Sequence, residues 1–112
     1  MAMAERAVGD VTIVDVTGSI TIGAGGAEQL ADKVRSLLQQ GRKKLVVNLA
    51  EVAYMDSAGL GELVQAYSTT MRHGGALKLL NATSKLKDLL TITKLATVFE
   101  LFDAESDAVA SF

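Results

Sequence analysis

A short buried strand that gives way within a few residues to an amphipathic helix constrains this chain more than any other feature. Residues 45–49 (LVVNL) are apolar apart from Asn48 and include two adjacent valines. A run that short and that β-branched fits a strand covered on both faces better than a helix. The period then changes. Leu60, Leu63, Val64, Tyr67 and Met71 recur at spacings of three and four, which stripes one side of a helix. Between the two lies MDSAGLG, where Asp56 and Ser57 are residue types that cap a helix N-terminus. A short side-chain oxygen there accepts a bond from an otherwise unpaired backbone N–H. Gly59 and Gly61 are poor helix formers placed at the start of this helix. Either they keep the surface around Ser57 low, so that another protein can approach its hydroxyl, or they relieve local crowding.

The flanking segments extend the alternation. Residues 11–16 (VTIVDV) read as a strand between Asp10 and Gly18, with a partner strand around residues 6–8. Residues 19–26 (SITIGAGG) read as a glycine-rich loop. A helix follows over residues 27–40, with Leu30, Val34, Leu37 and Leu38 on its buried side and Gly41 as its stop. Gly74 and Gly75 turn the chain into a strand over residues 76–80 (ALKLL). Thr83 or Ser84 caps the next helix, striped by Leu86, Leu89 and Leu90. Residues 98–102 (VFELF) are the last strand. Asp103 opens a tail helix with Ala104, Ala108, Val109 and Phe112 on one side. Helix-linked strands favour parallel pairing and the opening strands add an antiparallel edge. The expectation is an α/β fold, one domain over residues 1–112, with a mixed, mostly parallel sheet flanked by about four helices.

Composition closes off several chemistries. The chain has 112 residues, 49% apolar and 21% charged, which is ordinary globular material. It carries no Cys, so disulfides, thiol catalysis and thiolate metal sites are all absent. Net charge is −2, there is no Trp, and the only basic cluster, Arg42-Lys43-Lys44, sits at a helix-to-strand turn. Nucleic acid is therefore not an expected partner. The one histidine, His73, precedes Gly74 and Gly75 and reads as a helix C-terminus. No signal-peptide core and no run of membrane-spanning length occurs, so the expected location is the cytoplasm, without membrane insertion.

Enzyme readings fail on geometry. Ser57 is not in G-x-S-x-G, because Met55 stands two residues before it. His73 lies at the far end of the same helix, on the order of 24 Å away at 1.5 Å per residue. No P-loop pattern occurs, and Glu51 and Asp56 form no recognisable metal-ligand spacing. The chain is expected to be no enzyme, with no cofactor and no metal. A passive phosphoryl acceptor needs much less: an exposed hydroxyl at a helix N-terminus that tolerates a dianion.

A strand, then M-D-S-A-G-L-G from Met55 to Gly61, then an amphipathic helix resembles the STAS domain of anti-sigma factor antagonists, and the element order matches along nearly the whole chain. The resemblance implies that Ser57 is phosphorylated by a partner anti-sigma factor, itself a serine-protein kinase, and dephosphorylated by a phosphoserine phosphatase. It implies that unmodified protein binds the anti-sigma factor, releases the sigma factor and so regulates transcription, as a monomer or weak dimer. The implied partner surface is Met55, Asp56, Ser57, Ala58, Gly59, Leu60 and Gly61. Ser19 and Thr21 join it, at positions where the family carries an acidic pair. Asp56 serves as helix cap or as kinase contact. Met55, Ala58 and Leu60 offer an apolar rim, although Leu60 equally fits the core stripe. Two other readings stand beside this one. The first is a STAS scaffold in a stressosome-like or lipid-transport assembly, and the second a phosphocarrier. The second is opposed by the stability of phosphoserine.

Overall fold

The computed structural model describes residues 2–20 and 26–112. In chain order the elements are β1 (Ala2–Val8), β2 (Val11–Ile20), α1 (Gly26–Gln39), β3 (Lys44–Met55) and α2 (Ser57–Arg72). They continue as β4 (Ala76–Leu80), α3 (Ser84–Ile92), a 3₁₀ turn (Leu95–Thr97), β5 (Leu101–Phe102) and α4 (Glu105–Ala110). The five strands form one sheet in sequence order; β1 runs antiparallel to β2 and every other pair is parallel. The mixed, mostly parallel sheet expected from the alternation is therefore present.

That strand order decides where the helices lie. Each crossover from β2 to β5 steps one strand in the same direction. Right-handed connections therefore place α1, α2 and α3 on one face. On that face Leu30, Val34 and Leu37 of α1, Leu60, Leu63 and Ala66 of α2, and Leu86 and Leu90 of α3 pack on Val14, Val47, Leu49 and Leu79. The opposite face falls to α4, where Ala108 closes over Val11, Ile13, Val46 and Leu80. Burial on both sides explains why residues 45–47 are all enclosed.

The second face also carries a polar ladder. Arg6 of β1 donates through Nε to Asp15 Oδ2 at 2.7 Å and also pairs with Glu105 of α4. Asn48 of β3 donates to Asp15 Oδ1 at 2.8 Å, and Asn81 donates to Asn48 Oδ1 at 3.4 Å. Farther along, Lys78 is only 7% exposed. Its Nζ lies 3.0 Å from Glu100 and 2.8 Å from the Ser111 hydroxyl, with the Phe112 ring 4.6 Å away. These last bonds are what allow the Lys78 ammonium to be buried on this face.

Several boundaries differ from expectation, each for a local reason. β1 starts at Ala2, because its whole length pairs with β2 as far as Thr17. β3 runs on to Met55 instead of stopping at Leu49. Past Asn48 its pairing with β2 slips by one residue between Asp15 and Thr17, and again between Gly18 and Ser19. Each slip is a bulge, which breaks the two-residue alternation that marks a strand in sequence. Ser19, expected in a loop, pairs with Tyr54 and is strand. The rest of that expected loop, residues 21–25, lies outside the described residues. The last strand shrinks to Leu101–Phe102, because the amides of Val98 and Phe99 still bond back to Leu95 O. Phe99 instead enters the core edge-on to Tyr67, with ring centroids 5.2 Å apart. The tail helix begins at Glu105 and leaves Ala104 exposed at its cap position.

On α2 the buried residues are Gly59, Leu60, Leu63, Ala66, Thr69 and Thr70. Met71 sits roughly 110° from the centre of that face and is 50% exposed, so it does not belong to the stripe. Thr70, which an apolar pattern passes over, is buried because its hydroxyl donates to Ala66 O at 2.8 Å.

Candidate functional site

The bulged end of β3 carries the chain past the end of β4. β4 pairs with Lys44 through Asn48 only, whereas β2 follows β3 as far as Met55. Bulging turns the burial pattern into one with a spacing of three. Leu49, Val52 and Met55 all enter the helix-side core, and the pairs between them stay exposed. Tyr54 is 58% exposed and lies beside Ser19 in the sheet.

Asp56 then stops the strand and starts α2. Its backbone is extended, with φ −92° and ψ 179°, and its Oδ1 accepts from Gly59 N at 2.7 Å. Its carbonyl accepts the first helical bond, from Leu60 N at 2.9 Å. This is an N-cap, so the capping role of Asp56 is present in the structure. Ser57 is the first helical residue and is exposed. It therefore stands at the positive end of the helix dipole, where free backbone N–H groups point outward.

The two glycines separate. A Cβ on Gly59 would lie 2.0 Å from Ile20 O and 2.9 Å from Ile20 C, so Gly59 lets the first turn of α2 press against the end of β2. Asp56 N reaches the same carbonyl at 3.4 Å. Gly59 thus relieves crowding. A Cβ on Gly61 would meet nothing within 4 Å, which leaves low, open surface beyond Ser57.

The apolar rim expected of Met55, Ala58 and Leu60 needs correction. Met55 is 6% and Leu60 4% exposed, both within the helix-side core, and Gly59 is buried too. Strand bulging turns Met55 inward, and Leu60 falls on the sheet-facing side of α2. The residues that remain accessible are Ser57, Gly61 and Tyr54, with Ser19, Asp56 and Ala58 half-covered. Thr21 lies outside the described residues. Sequence reasoning missed Tyr54, because a strand ended at Leu49 leaves it in a loop with no defined side. It also missed Ile20, whose backbone is the counterpart of Gly59.

Beside this site is a cleft of about 280 Å³ lined by Ala53, Tyr54, Met55, Thr83, Lys85, Leu86 and Leu89. It fills the space between the projecting end of β3 and the first turn of α3. Thr83 caps that turn, accepting from Leu86 N at 3.4 Å.

The shifted titrations lie elsewhere. Arg6, through its bonds to Glu105 and Asp15, is held more firmly protonated, and both carboxyls are held below the usual carboxylate range by Arg6. Asp10 is lowered by Lys44. His73 is at the opposite end of α2 from Ser57, where its Nδ1 lies 2.8 Å from Thr69 O. Among the described residues, no group of three or more His, Asp or Glu side chains is placed to hold a metal ion. Among the same residues, no helix is long and apolar enough to cross a membrane.

Comparison with known proteins agrees with this layout. The family model described as STAS domain matches residues 2–108. The anti-sigma-B factor antagonist of Bacillus subtilis is 35% identical over 88 residues, covering 79% of this chain and 78% of that protein. Its counterpart in Listeria monocytogenes is 33% identical over 81 residues, covering 69% and 71%. Among solved structures, an anti-sigma factor antagonist from Mycobacterium paratuberculosis superimposes with a TM-score of 0.85 at 20% identity, covering 98% of this chain and 92% of that one. The Bacillus cell fate determinant SpoIIAA in its phosphorylated form gives 0.75 at 19% identity, covering 98% of both. At such identities the superpositions speak for the fold.

Proposed function

The chain belongs to the STAS domain family and to the anti-sigma factor antagonists within it, and we propose that it works as a phosphorylation-controlled protein-binding switch centred on Ser57. Unmodified protein docks its Ser57 end on an anti-sigma factor and so frees the sigma factor. That anti-sigma factor is also the serine kinase that phosphorylates Ser57, and a phosphoserine phosphatase resets the switch. The protein acts in the cytoplasm as a monomer or weak dimer, performs no catalysis of its own, and requires neither cofactor nor direct contact with nucleic acid.

The observation that carries this reading is the setting of Ser57, exposed as the first residue of a capped helix on a projecting strand end. A phosphoryl group adds about −1.5 to −2 charges at neutral pH. The helix N-terminus favours it by ~0.3–2 kcal/mol, and neighbouring Asp56 and Glu62 oppose part of that gain. The fold is therefore expected to stay unchanged on phosphorylation. At an interface the balance differs. Enclosing a dianion without a matching cation costs ~3–5 kcal/mol, about 10²- to 10⁴-fold in affinity. Release of the partner follows from charge alone.

In this reading Asp56 caps the helix and borders the kinase footprint, Gly61 and Ala58 keep the approach to Ser57 low, and Ser19 is a peripheral contact. Thr21 is proposed as a second peripheral contact from its place in the sequence. The test is direct binding of Ser57→Ala and Ser57→Asp to the anti-sigma factor. The alanine variant should bind constitutively and the aspartate variant poorly; equal affinities would sink the switch.

A further inference from the structure

Beyond its pairing with β4, the projecting half of β3 presents an unused strand edge. β4 ends its pairing at Asn48, so residues 49–55 have no strand partner on that side among the described residues. An unpaired edge offers backbone N–H and C=O groups to an incoming extended segment. The space next to this edge is not filled by another strand. It is the cleft walled by Tyr54 and Met55 on one side and by Leu86 and Leu89 of α3 on the other.

The lining has a definite chemistry. Its floor is apolar, from Met55, Leu86 and Leu89, and its rim carries the exposed ring of Tyr54. Lys85 is the only charged residue among the described residues that line it, and it too is exposed. A cleft of about 280 Å³ has room for an apolar side chain, and a lone cation at its rim complements a carboxylate beside that side chain. An exposed Tyr next to a concave apolar site is the type of residue on which binding energy concentrates. Met55 lines the cleft two positions before Ser57, so the cleft and the phosphorylated hydroxyl lie within one footprint.

We propose that this edge and cleft are the specificity half of the partner interface. They take an extended segment of the anti-sigma factor, bearing an apolar side chain next to an acidic one. The proposal rests on the Ser57 switch and adds what holds the partner there: main-chain pairing along β3, the apolar side chain in the cleft, and the carboxylate at Lys85. Ser57 then acts as the gate at the margin of a site whose affinity comes from the cleft.

The test uses the anti-sigma factor kinase that modifies Ser57, purified, and four variants of the full chain. Tyr54→Ala and Lys85→Glu should each weaken binding by about tenfold or more. They should raise KM for Ser57 phosphorylation while leaving kcat nearly unchanged, and the Lys85 effect should shrink as salt is raised. Met71→Ala, equally exposed but at the far end of α2, should bind as the parent does. Those amides of residues 51–54 that β2 does not already bond should gain hydrogen-exchange protection in the complex. Parental binding by Tyr54→Ala and Lys85→Glu, with Ser57→Asp still weak, would overturn the cleft proposal and leave the switch intact. Parental binding by Ser57→Asp as well would overturn both. Loss of a homodimer in the cleft variants, with kinase binding unaltered, would assign the edge to a second copy of this chain and overturn the proposal.

Discussion

The two halves of β3 follow different rules. From Lys44 to Asn48 the strand is hydrogen-bonded on both sides and covered on both faces, and Leu45, Val46 and Val47 are fully enclosed. From Ala50 to Met55 it is bonded to β2 alone, bulged twice, and buried only at every third residue. The first half is where the sheet derives its stability. The second half gives up pairing and alternation, and in return it projects Tyr54 and aims the N-terminus of α2 outward. Regular pairing makes a core, whereas bulges re-aim side chains.

This contrast makes graded predictions. Leu45→Ala should have the largest effect on stability, about 2–5 kcal/mol, because it empties a site enclosed between two layers. Denaturant unfolding measures it, and a loss below about 1 kcal/mol would mean the regular half is not the structural anchor. Gly59→Ala comes next, at about 1–3 kcal/mol, since its Cβ must displace the Ile20 backbone. It should shift the amide resonances of α2's first turn and of residues 18–20 while the β4 resonances stay in place. A uniform shift across the sheet would erase the distinction between the halves.

Asp56→Ala should cost about 0.5–2 kcal/mol through loss of the cap, and Asp56→Asn should recover most of it because the amide oxygen still accepts from Gly59 N. If the asparagine variant binds the partner poorly while remaining stable, Asp56 acts at the interface as well as in the cap. The smallest effect belongs to the ladder of the second face. Arg6 depresses the pKa of Asp15 and Glu105. Their contribution is complete above the ordinary carboxylate range near about pH 4 and is lost as pH falls through the depressed values. Arg6→Met should therefore lower stability slightly at neutral pH, only slightly because these pairs are partly exposed, and leave it unchanged in acid, so that the acid limb of the stability profile flattens. Thermal unfolding between acid and neutral pH reads the difference.

Which parts were legible in the sequence follows the same division. Residues 45–49, the α1 stripe through Leu38 and the α3 stripe through Leu90 announce themselves, because regular elements buried on a fixed side leave a regular period. The cap at Asp56 was legible from residue type, and the mixed sheet from element order. Residues 50–55 were not, because two bulges convert alternation into a spacing of three that resembles neither strand nor loop. The inward turn of Met55 and the exposure of Tyr54 were hidden for that reason. Met71 was misplaced because an apolar pattern ignores Thr69 and Thr70, which are buried through hydrogen bonds. Gly59 could not be told from Gly61 until the Ile20 carbonyl stood beside it.

The measurement that tests the central claim most directly is calorimetric binding of the anti-sigma factor to two samples of this protein, one unmodified and one stoichiometrically phosphorylated at Ser57, with backbone NMR on both. The account predicts affinity lower by about 10²- to 10⁴-fold in the phosphorylated sample, with resonance changes confined to the end of β3 and the first turn of α2. Equal affinity, or release accompanied by refolding of the sheet, would contradict it.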